Sequence, residues 1–263
     1  MPDQVRHDEA LMDIGGLGLA AGAGLLGGAM NALAGGGTFA TMPALIALGL
    51  PSPIANATSN VALQPGAIAS AWAYRSGLAP IAGLSVRMLT GITFMGGFAG
   101  SLLLVWTPER TFDVIIPWLL LLATVALAFG KSMAAWLQRR TTIGPKTLVA
   151  AQSLLGLYGG YFGGGVGLMM TATWGLLAGT EPAKLMAPRT LMLAAANAAA
   201  TIVFVASGMV RWAWCLPMLV GAILGGHFGA KLGTRLSPLV IRVWTLLVTA
   251  VTTAVFFWRA YGW

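Results

Sequence analysis

Polar residues are sparse along this chain, and glycines, prolines and charge clusters divide it into ten hydrophobic segments. Five lie at 14–34, 38–50, 54–74, 82–106 and 112–137, and five more at 147–162, 166–179, 185–207, 212–233 and 238–258. A helix needs about 20 apolar residues to cross a 30 Å hydrocarbon core. Most segments meet that length, so membrane-spanning helices are predicted. Segments 38–50 and 166–179 are shorter, reaching only about 20 Å as helices. They predict half-helices or re-entrant arms paired with the segments before them.

Each short segment follows a triple glycine. The first break reads Gly35-Gly36-Gly37-Thr38 and the second Gly163-Gly164-Gly165-Val166, 128 residues apart. The correspondence extends further. Pro53 and Pro182 open the next long segment, Gly77 and Gly208 close it, and Gly96 and Gly100 match Gly225 and Gly229. The chain therefore divides into a first membrane repeat at 14–137, a linker at 138–146 and a second repeat at 147–258. Five segments per half is odd, so the second repeat is expected upside down relative to the first. If the hairpins are re-entrant the span count stays odd, and inverted topology survives. The fold class is an all-α polytopic membrane protein with two inverted repeats and 8–10 hydrophobic segments in all.

Composition agrees. Residues are 57% hydrophobic and 8% charged, against about 25% charged in soluble domains. The net charge of +8 is spread over segment ends rather than gathered in one patch, which argues against nucleic acid. With alternate loops taken as cytoplasmic, eleven basic residues from Arg75 to Arg242 lie inside, and Arg6, Arg110, Arg211 and Arg259 lie outside. That is a positive-inside bias, with both termini non-cytoplasmic and the linker cytoplasmic. Asp3, Asp8 and Glu9 replace a basic leader, so no cleavable signal is expected. One cysteine, Cys215, and two histidines, His7 and His227, leave no basis for a disulfide, a metal site or a cofactor. Oligomeric state is left open. Trp72, Trp106, Trp118, Trp212, Trp214, Trp258 and Trp263 cluster near segment ends, as an interfacial belt predicts.

Candidate chemistry lies inside the apolar segments. Asn56, Asn60 and Gln64 recur every four residues, with Thr58 and Ser59 beside them, so the three amides share a helical face. They read either as a substrate-lining stripe or as an amide ladder between helices. Arg189, Thr190, Asn197 and Thr201 occupy the matching segment. Arg189 reads either as an oxyanion ligand, which its planar fork suits, or as a side chain snorkelling to the interface. The glycines carry no nucleotide-loop context. They read as close-packing positions or as exposed backbone N–H groups at Gly36, Gly37, Thr38, Gly164 and Gly165, where a helix N-terminus binds an anion. The glycines at 221, 225, 229 and 233 form a packing face.

All seven carboxylates, Asp3, Asp8, Glu9, Asp13, Glu109, Asp113 and Glu181, lie at ends or in loops. Cation pumps rely on intramembrane acids, so an anion is the expected cargo. An anion leaving a negative-inside cell gains roughly 2.3 kcal/mol per charge per 100 mV, so export needs no coupling ion. A passive anion channel is the alternative within transport. From another class, an intramembrane hydrolase on Ser101 and His227 lacks a G-x-S-x-G elbow.

The run from Gly35 to Phe39, with Pro43, Gly49-Leu50-Pro51 and Ala57-Thr58-Ser59, resembles the first-half signature of the sulfite exporter TauE/SafE family. Tyr158 to Gly167, then Gly208 and Gly225-Gly226-His227-Phe228-Gly229-Ala230, resembles its second half. The resemblance spans about residues 14–258, with Pro188-Arg189-Thr190 standing where a Thr-Ser type of stretch is common. It implies a bacterial inner-membrane permease for sulfite or organosulfonate-like anions. Its partners are a small anion and the bilayer, and it is not an enzyme. The expected site comprises Gly36, Gly37, Thr38, Thr58, Ser59, Asn60, Gln64, Gly164, Gly165, Arg189, Thr190 and Asn197.

Overall fold

A computed structural model describes residues 14–138, 145–178, 185–233 and 235–262. The interior of the 138–146 linker, Arg6, Glu181 and Trp263 lie outside the described residues, as do Asp3, Asp8, Glu9 and Asp13. Ten α-helices are described: α1 (Ile14–Leu33), α2 (Thr38–Ala47), α3 (Ser52–Ala73), α4 (Val86–Trp106) and α5 (Glu109–Gln138), then α6 (Pro145–Tyr161), α7 (Val166–Ala178), α8 (Met186–Ala206), α9 (Trp212–Gly233) and α10 (Pro238–Tyr261). No strand occurs among the described residues. Six helices, α1, α4, α5, α8, α9 and α10, are long and apolar enough to cross a membrane. α3 has 22 residues, about 33 Å of helix, but its amides dilute its hydropathy.

The short helices are as expected: α2 has 10 residues and α7 has 13. One boundary is corrected. α4 begins at Val86 rather than at 82, because Ile81 and Leu84 exchange backbone hydrogen bonds of 3.1 and 2.9 Å around a reverse turn. Ala82 and Gly83 at its centre take φ +47° and +80°, a turn geometry that helix cannot continue. Ser85 Oγ then accepts the Met88 N–H at 3.2 Å and caps α4.

Two glycine seams assemble the bundle. A methyl built at Gly24 or Gly28 would overlap the Met218 or Ala222 carbonyl, and one at Gly221 or Gly225 would overlap that of Ala21 or Leu25. These contacts lock α1 against α9 with numbering rising together. The same device joins α4 to α6, where Gly100 meets the Leu157 carbonyl and Gly160 that of Gly97. Small residues let backbones touch, which is how helices associate without a hydrophobic driving force. Every glycine of the 221–229 packing face thus has a partner in α1.

The pairings are two-fold. Exchanging α1–α5 with α6–α10 maps α1·α9 onto α4·α6, α3·α9 onto α4·α8, and α2·α10 onto α5·α7, while α3·α8 and α5·α10 map onto themselves. α3 and α8 form the inner pair: most of α3 from Ser52 to Gln64 is buried, as is most of α8. They run antiparallel, since Gln64 bonds Ala194, Asn60 bonds Asn197 and Gly77 abuts Ala187. Large apolar side chains of α5 and α10, such as Leu122, Phe129, Leu247 and Val255, point outward. Trp72, Trp106, Trp212 and Trp258 are exposed near helix ends as expected, but Trp118 is exposed well inside α5 and Trp214 is buried in the core.

Candidate functional site

The two glycine breaks meet. Gly35 takes φ +79°, and Gly163 and Gly165 take +74° and +73°, conformations only glycine adopts without strain. Gly35 N–H closes α1 on the Met30 and Asn31 carbonyls, and Gly163 N–H closes α6 on Tyr158. A methyl built at Gly35 would stand 3.4 Å from Gly167 Cα, so the two backbones pass in contact. Past each turn the chain starts a new helix. The N–H groups of Gly36, Gly37, Thr38, Gly164 and Gly165 have no acceptor among the described residues. All five residues are buried. Buried N–H groups are nearly always paired, so the tips of α2 and α7 are left with unmet donors at their positive ends.

Arg189 lies beside this junction. Its Cγ and Cδ stand 3.7 Å from where a Gly167 side chain would begin. Only 7% of the residue is exposed, and Nε is buried without a hydrogen-bond partner. It is buried inside the bundle rather than lying on its outer surface. Glu109 and Asp113, the carboxylates among the described residues, open α5.

Beside the second break, Asn60 Nδ2 donates to Asn197 Oδ1 at 3.3 Å, and Thr201 Oγ1 donates to Asn60 Oδ1 at 3.3 Å. A methyl at Gly163 would lie 3.4 Å from Asn60 Nδ2. Gln64 Nε2 donates to the Ala194 carbonyl at 3.2 Å and Asn56 Nδ2 to that of Tyr161 at 3.1 Å, leaving Gln64 Oε1 and Asn56 Oδ1 buried and unpartnered. The amides are therefore a ladder joining α3 to α8 and α6, with free oxygens left over. Pro65 within α3 has no N–H to offer the Val61 carbonyl.

Not every expected residue faces this space. Thr58 Oγ1 accepts the Arg211 N–H at 3.1 Å, tying α3 to the start of α9. Thr190 Oγ1 bonds back to its own helix at Ala187. Ser59 makes a short hydroxyl contact with Thr41, whose Oγ1 donates to the Gly37 carbonyl at 3.2 Å. Ser59 thus holds the first break from behind. Tyr158 does the same for the second, its hydroxyl lying 2.7 Å from the Gly164 carbonyl and 3.2 Å from that of Leu119. Neither Thr41 nor Tyr158 was expected, although Thr41 lies one helical turn beyond Gly37. The breaks bring Gly36, Gly37, Thr38, Gly164 and Gly165 into one junction, with Arg189 beside Gly167 and the Asn60–Asn197 pair beside Gly163, while Gln64 lies one turn beyond Asn60.

The hydrolase pair does not assemble. Ser101 is buried and bonds the Phe98 carbonyl at 2.9 Å, while His227 is exposed and packs edge-on against Phe228. No cluster of metal-ligating side chains occurs among the described residues.

Comparison with known proteins bears on the same stretch. Residues 20–256 match the family model described as sulfite exporter TauE/SafE. The chain is 28% identical over 238 residues to the probable membrane transporter protein YfcA of Escherichia coli (strain K12), covering 90% of this chain and 88% of that protein. It is 26% identical over 232 residues to a probable membrane transporter protein of Haemophilus influenzae, covering 88% and 90%. With a probable membrane transporter protein of Xylella fastidiosa (strain Temecula1) it shares 28% identity over 256 residues, covering 91% and 94%. No solved structure matches.

Proposed function

The chain belongs to the sulfite exporter TauE/SafE family of membrane transporters, and from that premise we propose that it exports a small sulfur-containing anion by alternating access. The cargo class is sulfite or an organosulfonate, and the membrane is the bacterial inner membrane. One observation carries the reading: two glycine breaks abut beside a buried, unpartnered Arg189 nitrogen, with free backbone N–H groups on both sides. Oriented N–H groups and a guanidinium form an oxyanion site without any acid to repel the cargo. Gln64 and Asn56 on α3 carry buried oxygens without a partner, which are free to accept from water or from a protonated cargo oxygen.

The two sets of five helices are the moving parts. Their two-fold pairing and the antiparallel α3 and α8 support repeats at 14–137 and 147–258 inserted with opposite orientation, rocking about a central site. Both termini then lie outside the cytoplasm and the 138–146 linker inside it. Purified protein in proteoliposomes tests this across sulfite, sulfate, thiosulfate and short sulfonates. Saturable flux with counterflow is expected. Non-saturating flux without counterflow identifies a passive channel instead. Gly36→Trp and Gly164→Trp are expected to insert normally and block flux.

A further inference from the structure

Among the described residues, Arg189 is the one formal charge at the converging breaks. Arg189 is 7% exposed, its Nε lacks an acceptor, and no carboxylate among the described residues stands beside it. The other polar groups at the junction are neutral: the Asn60–Asn197 pair beside Gly163, Gln64 one turn beyond it, the N–H groups at the tips of α2 and α7, and the Tyr74 phenol, whose charge would act on Arg189. A guanidinium does not lose its proton at physiological pH. It cannot neutralise itself when the cargo leaves. Closing an empty site would therefore strand an unpaired cation away from water, where charge is most costly. With a monoanion bound, the same core is electrically neutral.

Resting on the carrier reading above, we propose that the protein is an anion exchanger. The site recloses only around an anion, so each monoanion carried out is replaced by another carried in. Exchange of one monoanion for another moves no net charge. The gradient of the counter-anion, rather than the membrane potential, then drives export. The chemistry asks only that the returning ion be small and monovalent, as chloride, hydrogen sulfite and short sulfonates are.

The test is trans-acceleration. Proteoliposomes are loaded with the labelled anion that gave flux in the panel above and diluted into medium holding only an impermeant buffer anion, chloride, or the unlabelled substrate. External permeant anion is expected to speed efflux at least about a hundredfold, with an imposed potential changing the exchange rate little. Arg189→Lys should keep that acceleration because it keeps the charge. Arg189→Gln should lose it, net and exchange rates becoming equal. Saturable wild-type efflux at one rate with or without external anion would overturn the exchange proposal and leave the carrier standing. Absence of saturable flux for every anion in the panel would remove both. The wild-type measurement decides even if a variant fails to fold.

Discussion

The two glycine breaks end their first helices alike and differ in chemistry. Each ends a helix on a left-handed glycine, at Gly35 and Gly163, and opens a short helix whose first N–H groups are unmet. Beyond that they diverge. The second break has neutral amides beside it, Asn60 and Asn197, bonded to each other. The contact between the breaks has Arg189, and nothing answers its Nε. Positions 60 and 189 lie 129 residues apart, nearly the distance between the two triple glycines, and carry an amide and a cation. The two breaks thus share one cation between them, and that asymmetry is what the proposed anion site rests on.

The largest expected effect tests that asymmetry directly. Arg189→Ala should lower anion flux by about ten- to a hundredfold, since charged hydrogen bonds are worth about 1.5–3 kcal/mol and no second cation stands at the junction among the described residues. Asn60→Ala should lower it about tenfold or less, because Asn197 and the free N–H groups remain. Initial flux per inserted molecule measures both. Equal losses would mean the two halves contribute alike.

Most of the helical frame was legible because membrane helices end where glycine, proline and charge interrupt an apolar run, and those interruptions are strong here. Helices α1, α7 and α9 begin where expected. The miss at 82–85 has a physical cause: Ala82 is apolar and reads as helix, but its φ of +47° belongs to a turn set by the Ile81–Leu84 pairing. Within the site, polarity inside an apolar run marked Asn60, Gln64, Arg189 and Asn197. Partnership was not readable, because it depends on which helices touch. Thr58 was expected in the site beside Asn60 yet accepts from Arg211 just ahead of α9, and Tyr158, no part of the expected site, holds Gly164.

A second contrast concerns how much each break tolerates a side chain. At Gly165, φ is +73° and a new Cβ would stand 2.9 Å from Ala123 Cβ. Gly165→Ala should therefore destabilise the protein by about 1–3 kcal/mol, seen as a lower melting midpoint in detergent. Gly36 has no positive φ, and its Cβ would make an ordinary 3.4 Å contact with the Phe39 ring. Gly36→Ala should melt near wild type and reduce flux only through crowding of the free N–H groups. If Gly36→Ala melts as low as Gly165→Ala, the first break is as tightly packed as the second.

The smallest effects separate the hydroxyls behind the breaks. Ser59→Ala leaves Thr41 still bonded to the Gly37 carbonyl, so little is orphaned and the expected loss is about 0.5 kcal/mol. Tyr158→Phe removes the hydroxyl that serves both Gly164 and Leu119 carbonyls, and about 1 kcal/mol is expected. The more informative reading is local. Amide hydrogen exchange at Gly164 and Gly165 should quicken in Tyr158→Phe while Gly36 and Gly37 keep their rates. If both breaks loosen together, the contact of Gly35 with Gly167 couples them into one unit, and the charge on Arg189 is felt equally at both helix tips.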